Sequence, residues 1–181
     1  MDNVMGLLEN LSLLHWIIAG IVYVLSVGFG VFLATRWFWR TQRRLYRNLK
    51  RPVLIITPTD SQGGKIHGTE MEVEKKFLSD NGFLNIDDGP TDYRSFNPNH
   101  NHCVVVLGYH PNMQGLDEVL MKVKNSQVPL IVYTFGKNIN VISETDKNKL
   151  DTYPLTLYAN FQLTLANHIF TTLATYPYDQ K

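Results

Sequence analysis

The chain has 181 residues, of which 44% are hydrophobic and 18% charged, and its formal net charge is +1. This length allows one domain of ordinary size with a short appendage, and the low charge content indicates an apolar segment. The single cysteine, Cys103, excludes an intramolecular disulfide and any metal site made from several cysteines.

The first predicted element is a membrane-spanning helix. From Leu11 to Thr35 the chain has no Asp, Glu, Lys or Arg, and a helix of this length is about 37 Å long at roughly 1.5 Å per residue. A hydrocarbon core is roughly 30 Å thick, so the segment is long enough to span it. The acidic N-terminal residues and the missing small-residue cleavage site argue against a signal peptide.

Charge then sets the predicted orientation. Residues 36–51 contain seven basic residues and no acidic one, and no basic residue precedes the apolar segment. By the positive-inside rule, the C-terminal part is predicted to be cytoplasmic, with the chain anchored once in the inner (plasma) membrane. The predicted parts are a short extracytoplasmic tail (1–10), a transmembrane helix (11–35), a basic juxtamembrane helix (36–51) and a cytosolic domain (52–181).

Small residues recur along one face of the predicted membrane helix. Ser26, Gly30 and Ala34 are four residues apart, a spacing that allows two helices to approach closely. The pattern predicts packing between copies of this helix, and therefore a homo-oligomer.

From residue 52 onward, short β-branched runs alternate with amphipathic segments. Such alternation predicts a doubly wound parallel sheet of about five strands, Rossmann-like or flavodoxin-like in layout. The predicted strands are 53–57, 83–86, 103–107, 128–134 and 155–159, and the helices between and after them begin near residues 69, 115, 143 and 160.

Two of these helices have predicted caps and core faces. Thr69 with Glu72 is typical of a capping box, and Asn160 is predicted to cap the last helix. Helical spacing assigns a set of apolar side chains to the core: Met71, Val73, Phe77 and Leu78 in the first helix, and Phe161, Leu165, Ile169, Phe170 and Leu173 in the last.

Polar loops follow the first and fourth predicted strands. The carboxyl ends of parallel strands meet at one edge of a sheet, where ligands of such folds bind. The predicted site for a small anionic ligand consists of Thr57, Thr59, Ser61, Gly63, Gly64 and Lys65 in one loop, Thr134, Gly136 and Lys137 in the other, and Arg94. Residues 52–181 contain ten basic and fourteen acidic residues, so duplex nucleic acid is not an expected partner.

Metal ligands are not grouped in the sequence. His100, His102 and His110 flank the third predicted strand without the cysteine or carboxylate spacing of a zinc site. The sequence therefore predicts neither a metal nor a permanently bound cofactor.

The stretch from residue 104 to 134, with VVVLGYHP, GLDEVL and VPLIVYT, resembles two families. It is similar to a response-regulator receiver domain, but Gly108 takes the position of the phospho-accepting aspartate, which excludes phosphorylation there. It also looks like a bacterial TIR domain, and that resemblance implies a catalytic role for Glu118. A helix-dipole role is the favoured explanation of Glu118, since acidic residues stabilise the first turn of a helix.

The whole layout resembles the membrane-anchored CARF-type sensors of prokaryotic antiviral defence. This resemblance implies one membrane helix joined to a Rossmann-like domain that binds a cyclic oligonucleotide. Three functions therefore remain open: a sensor whose ligand reorders an oligomer and opens a pore or damages the membrane, a tethered TIR-like NAD hydrolase, and a receiver-like module that docks a protein without any ligand.

Overall fold

The structure is a computed structural model that describes residues 2–61, 63–82, 84–87, 92–98 and 104–176, with side chains from residue 14 onward. The chain divides into two compact units, Met1–Arg44 and Leu45–Lys181. His100 and His102, which were considered above as metal ligands, and Cys103 lie outside the described residues.

The N-terminal unit belongs to a long helix, α1 (Asp2–Leu49). Every described side chain from residue 14 to residue 47 is exposed, and most of those before residue 35 are apolar. Among the described residues, α1 is the one helix long and apolar enough to cross a membrane, by length and composition. Residues 2–49, which include most of the predicted tail, membrane helix and basic helix, thus form one continuous helix.

The C-terminal unit is an α/β domain, as predicted. Its five strands are all parallel, and their order is β2-β1-β3-β4-β5, the flavodoxin-like order. The strands are β1 (Pro52–Ile56), β2 (Asn85–Ile86), β3 (Val104–Gly108), β4 (Leu130–Tyr133) and β5 (Thr156–Ala159). The helices are α2 (Glu72–Asp80), α3 (Leu116–Ser126), α4 (Glu144–Asp151) and α5 (Gln162–Thr175), with a 3₁₀ turn at Ile139–Val141.

Helices cover both faces of the sheet. Val104 and Val106 of β3 pack with α2 and α5, whereas Val105 and Leu107 pack with α3 and α4. Successive strand residues point to opposite faces, and a strand covered on both sides must be apolar throughout. This explains why β3 is a continuous apolar run.

Both predicted helix caps are wrong. The N-cap of α2 is Met71, without a side-chain hydrogen bond, because the Thr69 hydroxyl donates instead to the carbonyl oxygen of Ile66 at 2.7 Å. The N-cap of α5 is Phe161 and not Asn160. The short helix predicted after Ser143 is present as α4, and the Ser143 hydroxyl caps it by accepting from the Asp146 amide at 3.1 Å.

Three residues assigned to the core are exposed. Val73 is 65% exposed, Phe161 58% and Phe170 47%, while their neighbours Leu78, Leu165 and Ile169 are fully buried. Helical spacing marks an apolar stripe wider than the strip of sheet that the helix covers, so its outer members reach solvent. These side chains give the α2–α5 face an apolar surface.

Candidate ligand site at the carboxyl edge of the sheet

A cleft of about 660 Å³ opens at the carboxyl end of β4, between the starts of α2 and α5. Its size is within the range of small-molecule sites. The lining residues are Gly68, Glu70, Val73, Glu74, Tyr133, Phe135, Gly136, Phe161, Gln162 and Leu163. The cleft thus combines two carboxylates with aromatic and aliphatic walls, and none of these lining residues is a lysine or an arginine.

Glu74 is the buried polar group of this cleft. The residue is only 7% exposed, and its Oε1 accepts a hydrogen bond from the Tyr133 hydroxyl at 3.1 Å. Burial, together with the charge of Glu74, raises the pKa of Tyr133, so the phenol stays a donor at neutral pH. In the described part of the chain, no lysine or arginine forms an ion pair with Glu74. A carboxylate in such a place is costly without a strong donor.

The walls of the cleft are apolar and largely uncovered. Phe161 and Leu163, at the start of α5, are 58% and 76% exposed. Phe135 packs edge-on against Tyr133, with ring centroids 5.0 Å apart. An exposed aromatic beside a buried carboxylate is a combination that suits a flat ligand carrying N–H groups.

The loop after β1 is closed on itself. The Asp60 amide donates to the carbonyl oxygen of Gly64 at 2.9 Å, the Gly63 amide to that of Asp60 at 3.1 Å, and the Gly64 amide to Asp60 Oδ1 at 2.7 Å. The glycine amides of the predicted anion site therefore hold the turn together. Lys65 lies 3.4 Å from Glu72, and both side chains are well exposed, so this pair contributes little.

The same loop contains a buried hydroxyl. Thr57 and Thr59 are both buried, whereas Ser61 is exposed. Thr59 Oγ1 has no hydrogen-bond partner among the described residues. A buried hydroxyl in this state is destabilising by about 1–3 kcal/mol.

The loop after β4 adopts two consecutive left-handed conformations, at Phe135 (φ 52°) and Gly136 (φ 74°). The buried Thr134 hydroxyl fixes the turn by donating to the carbonyl oxygen of Lys137 at 2.7 Å. This geometry places Phe135 and Gly136 in the lining of the cleft and leaves the Lys137 side chain exposed.

The crevice between the ends of β1 and β3, where doubly wound folds usually bind ligands, is filled by the protein itself. A Cβ on Gly108 would lie 2.8 Å from both Phe135 Cζ and Pro58 Cδ. The Gln114 amide also donates across this gap to the carbonyl oxygen of Thr59, at 3.0 Å. Gly108 therefore has no room for any side chain.

Arg94 and Glu118 lie on the opposite side of the sheet from the cleft. Arg94 Nε donates to the Tyr93 hydroxyl at 3.0 Å, and Tyr93 belongs to the core packed under α3. Glu118, within α3, pairs with Lys122 at 3.0 Å, and Lys122 also donates to the carbonyl oxygens of Tyr93 and Arg94.

Of the residues predicted to bind a ligand, Gly136 lines the cleft, and the Lys65 loop and Lys137 belong to the same edge of the sheet. The sequence did not single out Glu74, Tyr133 or Phe161, because their proximity depends on how α2 and α5 meet over β4. One signal was available: α5 contains no Asp, Glu, Lys or Arg, which is unusual for a helix with an exposed face.

Comparisons of the chain with protein-family models, with curated proteins and with solved structures give no match. The function is therefore argued from the fold and from the chemistry of the cleft.

Proposed function

We propose that the chain is a single-pass membrane sensor whose cytoplasmic α/β domain binds a nucleotide-type ligand at the carboxyl edge of its sheet. The observation that carries this proposal is the cleft between α2 and α5, in a domain joined to an apolar helix long enough to span a bilayer. The basic residues after the apolar segment support a cytoplasmic domain.

A route from the cleft toward α1 supports a signalling role. The first residues of α5 line the cleft, and at its other end the carbonyl oxygen of Tyr176 accepts a hydrogen bond from Arg51 Nη2 at 2.8 Å. Arg51 is buried and follows the end of α1 by two residues. A ligand that shifts α5 would therefore act on the chain immediately after the membrane helix.

Self-association is part of the proposal. Ser26, Gly30 and Ala34 give the membrane helix a face for a second copy, and the uncharged surface of α5 gives the domain another. We propose that the output is an oligomer that opens a pore or disrupts the membrane, in antiviral defence.

The test uses the full chain, purified in detergent and reconstituted in nanodiscs. Before purification, the chain should sediment with cell membranes and resist extraction at alkaline pH. A protease added outside intact cells should leave residues 52–181 uncut. A panel of linear and cyclic mono-, di- and trinucleotides is then screened by thermal shift and isothermal titration. Extraction without detergent, or a panel with no binder, contradicts the proposal.

Substitutions at the sheet edge identify the site. Lys137→Ala is expected to weaken binding of the phosphate part of the ligand, and Lys65→Ala less so because Lys65 already pairs with Glu72. Lys147→Ala, in α4 on the opposite face, is the matched control. Full ligand affinity in both the Lys65 and the Lys137 variant would show that the ligand does not bind at these loops.

A further inference from the structure

The proposed function leaves open which nucleotide is bound, and the lining of the cleft bears on this. Resting on that function, we infer that the cleft between α2 and α5 recognises a guanine base through the carboxylate of Glu74. This assigns the base to the cleft and the phosphates to the loop beyond it.

The charge of the cleft decides which end of a nucleotide enters it. Glu70 and Glu74 line the cleft, and none of its described lining residues is a lysine or an arginine. Two carboxylates repel phosphate groups in a partly desolvated space. The base, which is neutral and rich in N–H donors, is the part of a nucleotide that such a cleft accepts.

The bases differ in the number of adjacent hydrogen-bond donors that they can present to a carboxylate. Guanine presents N1–H and the N2 amino group side by side, and both can donate to the two oxygens of one carboxylate. Adenine and cytosine place an acceptor nitrogen beside their amino group, and uracil places carbonyl oxygens on both sides of N3–H. A carboxylate facing those acceptors is repelled, and a buried polar site discriminates strongly against a ligand that leaves it unpaired.

Tyr133 prepares Glu74 for this role. Its hydroxyl donates to Glu74 Oε1 at 3.1 Å, which fixes the carboxylate in one orientation before a ligand arrives. Because burial and the charge of Glu74 raise the pKa of Tyr133, this donor persists across the physiological pH range. The paired donors of guanine would add two further charge-assisted hydrogen bonds to this carboxylate.

The walls suit a flat base. Phe161 and Leu163 line the cleft with exposed side chains, and Phe135 lines it too, packed edge-on against Tyr133. Stacking of a base on an aromatic side chain contributes about 1–3 kcal/mol in other nucleic-acid sites. A cleft of about 660 Å³ accommodates a base and its ribose.

The experiment compares guanine ligands with close analogues on the full chain in nanodiscs. Cyclic di-GMP and GMP are titrated beside cyclic di-AMP, AMP and IMP, which keeps N1–H but lacks the N2 amino group. Guanine ligands are expected to bind, adenine ligands to bind at least tenfold more weakly, and IMP to bind roughly tenfold more weakly than GMP, the loss of one charge-assisted bond. This comparison needs no variant, so it does not depend on how a variant folds.

Variants then locate the contact. Glu74→Gln is expected to weaken guanine binding by roughly tenfold to a hundredfold. The matched control is Glu144→Gln, at an exposed position of α4 on the other face of the sheet, which should change binding by less than about twofold. Thermal melts show that each variant folds. If adenine and guanine ligands bind equally, or if a folded Glu74→Gln binds guanine ligands as the parent does, the inference is wrong while the sensor function stands. If no nucleotide binds, both are wrong.

Discussion

Arg51 Nη2 donates to the carbonyl oxygen of Tyr176 at 2.8 Å and to Asn48 Oδ1 at 3.1 Å. One buried guanidinium thus joins the last turn of α1 to the residue that follows α5. The interaction connects two parts of the chain that are 125 positions apart. Because of this interaction, the last turn of α1 is part of the α/β domain.

Replacing Arg51 tests this joint. Arg51→Ala is expected to lower the free energy of unfolding by about 2–3 kcal/mol, because hydrogen bonds to a charged donor are lost and the Tyr176 carbonyl loses its partner. Arg51→Lys should rescue only part of the loss, since an ammonium group lacks the planar fork. Chemical unfolding followed by circular dichroism measures both. Exposed Arg44→Ala is the control, and an equal loss there would contradict the assignment.

Gly108, in β3, lies close to the side chains of Phe135 and Pro58. Gly108→Ala puts a Cβ 2.8 Å from both Phe135 Cζ and Pro58 Cδ, and overpacking of this kind costs about 1–3 kcal/mol. Gly28→Ala has no atom within 4 Å to meet and should be neutral. Thermal melts measure the stability of the two variants. An unchanged melting temperature for Gly108→Ala would show that the residues around Gly108 have room for a methyl group.

The outer surface of α5 predicts self-association of the domain. Phe170 is 47% exposed on a helix without any charged residue, and an uncharged apolar face can meet a copy of itself without repulsion. Phe170→Glu is expected to abolish chemical cross-linking between copies while changing stability by about 0.5 kcal/mol or less.

The matched control for Phe170 is Met121→Glu, which adds the same charge at a similarly exposed apolar position of α3. Cross-links that persist in Phe170→Glu, or that vanish equally in Met121→Glu, would place the contact elsewhere.

Thr59 offers a nearly isosteric test. Its buried hydroxyl lacks a hydrogen-bond partner among the described residues, so Thr59→Val should leave stability unchanged or raise it by about 1 kcal/mol. A destabilised valine variant would mean that the hydroxyl has a partner in solution. Ligand titration of the same variant then shows whether this hydroxyl belongs to the site, with Thr152→Val as a surface control.

Buried tyrosines predict a loss of stability in alkali. Burial is the main cause of the raised pKa of Tyr133 and Tyr153 relative to the ordinary value of 10.0. Above about pH 10 the unfolded chain releases phenolic protons that the folded chain retains. The free energy of unfolding therefore falls as pH rises, by up to about 1.4 kcal/mol per pH unit for each such tyrosine.

Denaturant melts between pH 7 and 11 measure this slope. Tyr133→Phe should reduce it, and Tyr46→Phe, at an exposed position of α1, should not. If the slope is identical in the parent chain and in both variants, Tyr133 does not contribute to the loss of stability in alkali.

The sequence predicted the centre of the sheet well because β3 and β4 are buried on both sides. The apolar run that includes residues 104–107 has no other stable place than the centre of a parallel sheet, and it forms β3. Local hydrogen bonding was less predictable: Thr69 had the spacing of a cap, but its hydroxyl found a nearer acceptor in Ile66.

The cleft could not be predicted from the sequence, for a different reason. Glu74 and Tyr133 are 59 positions apart, and no periodicity joins them. Val73 and Phe161, two of the three apolar residues wrongly assigned to the core, nevertheless line this cleft. Apolar residues left outside a packed domain are where sequence rules and function diverge.

The hydroxyl groups along α1 have a consequence for its behaviour in lipid. Ser26 Oγ donates to the carbonyl oxygen of Val22 at 2.8 Å and Thr35 Oγ1 to that of Val31 at 2.7 Å, so both are satisfied within their own helix. Neither hydroxyl therefore needs a hydrogen-bond partner from a second helix in hydrocarbon. In the proposed sensor these two hydroxyls would add no hydrogen bond between copies, so contact at this face would rest on the close packing of its small residues.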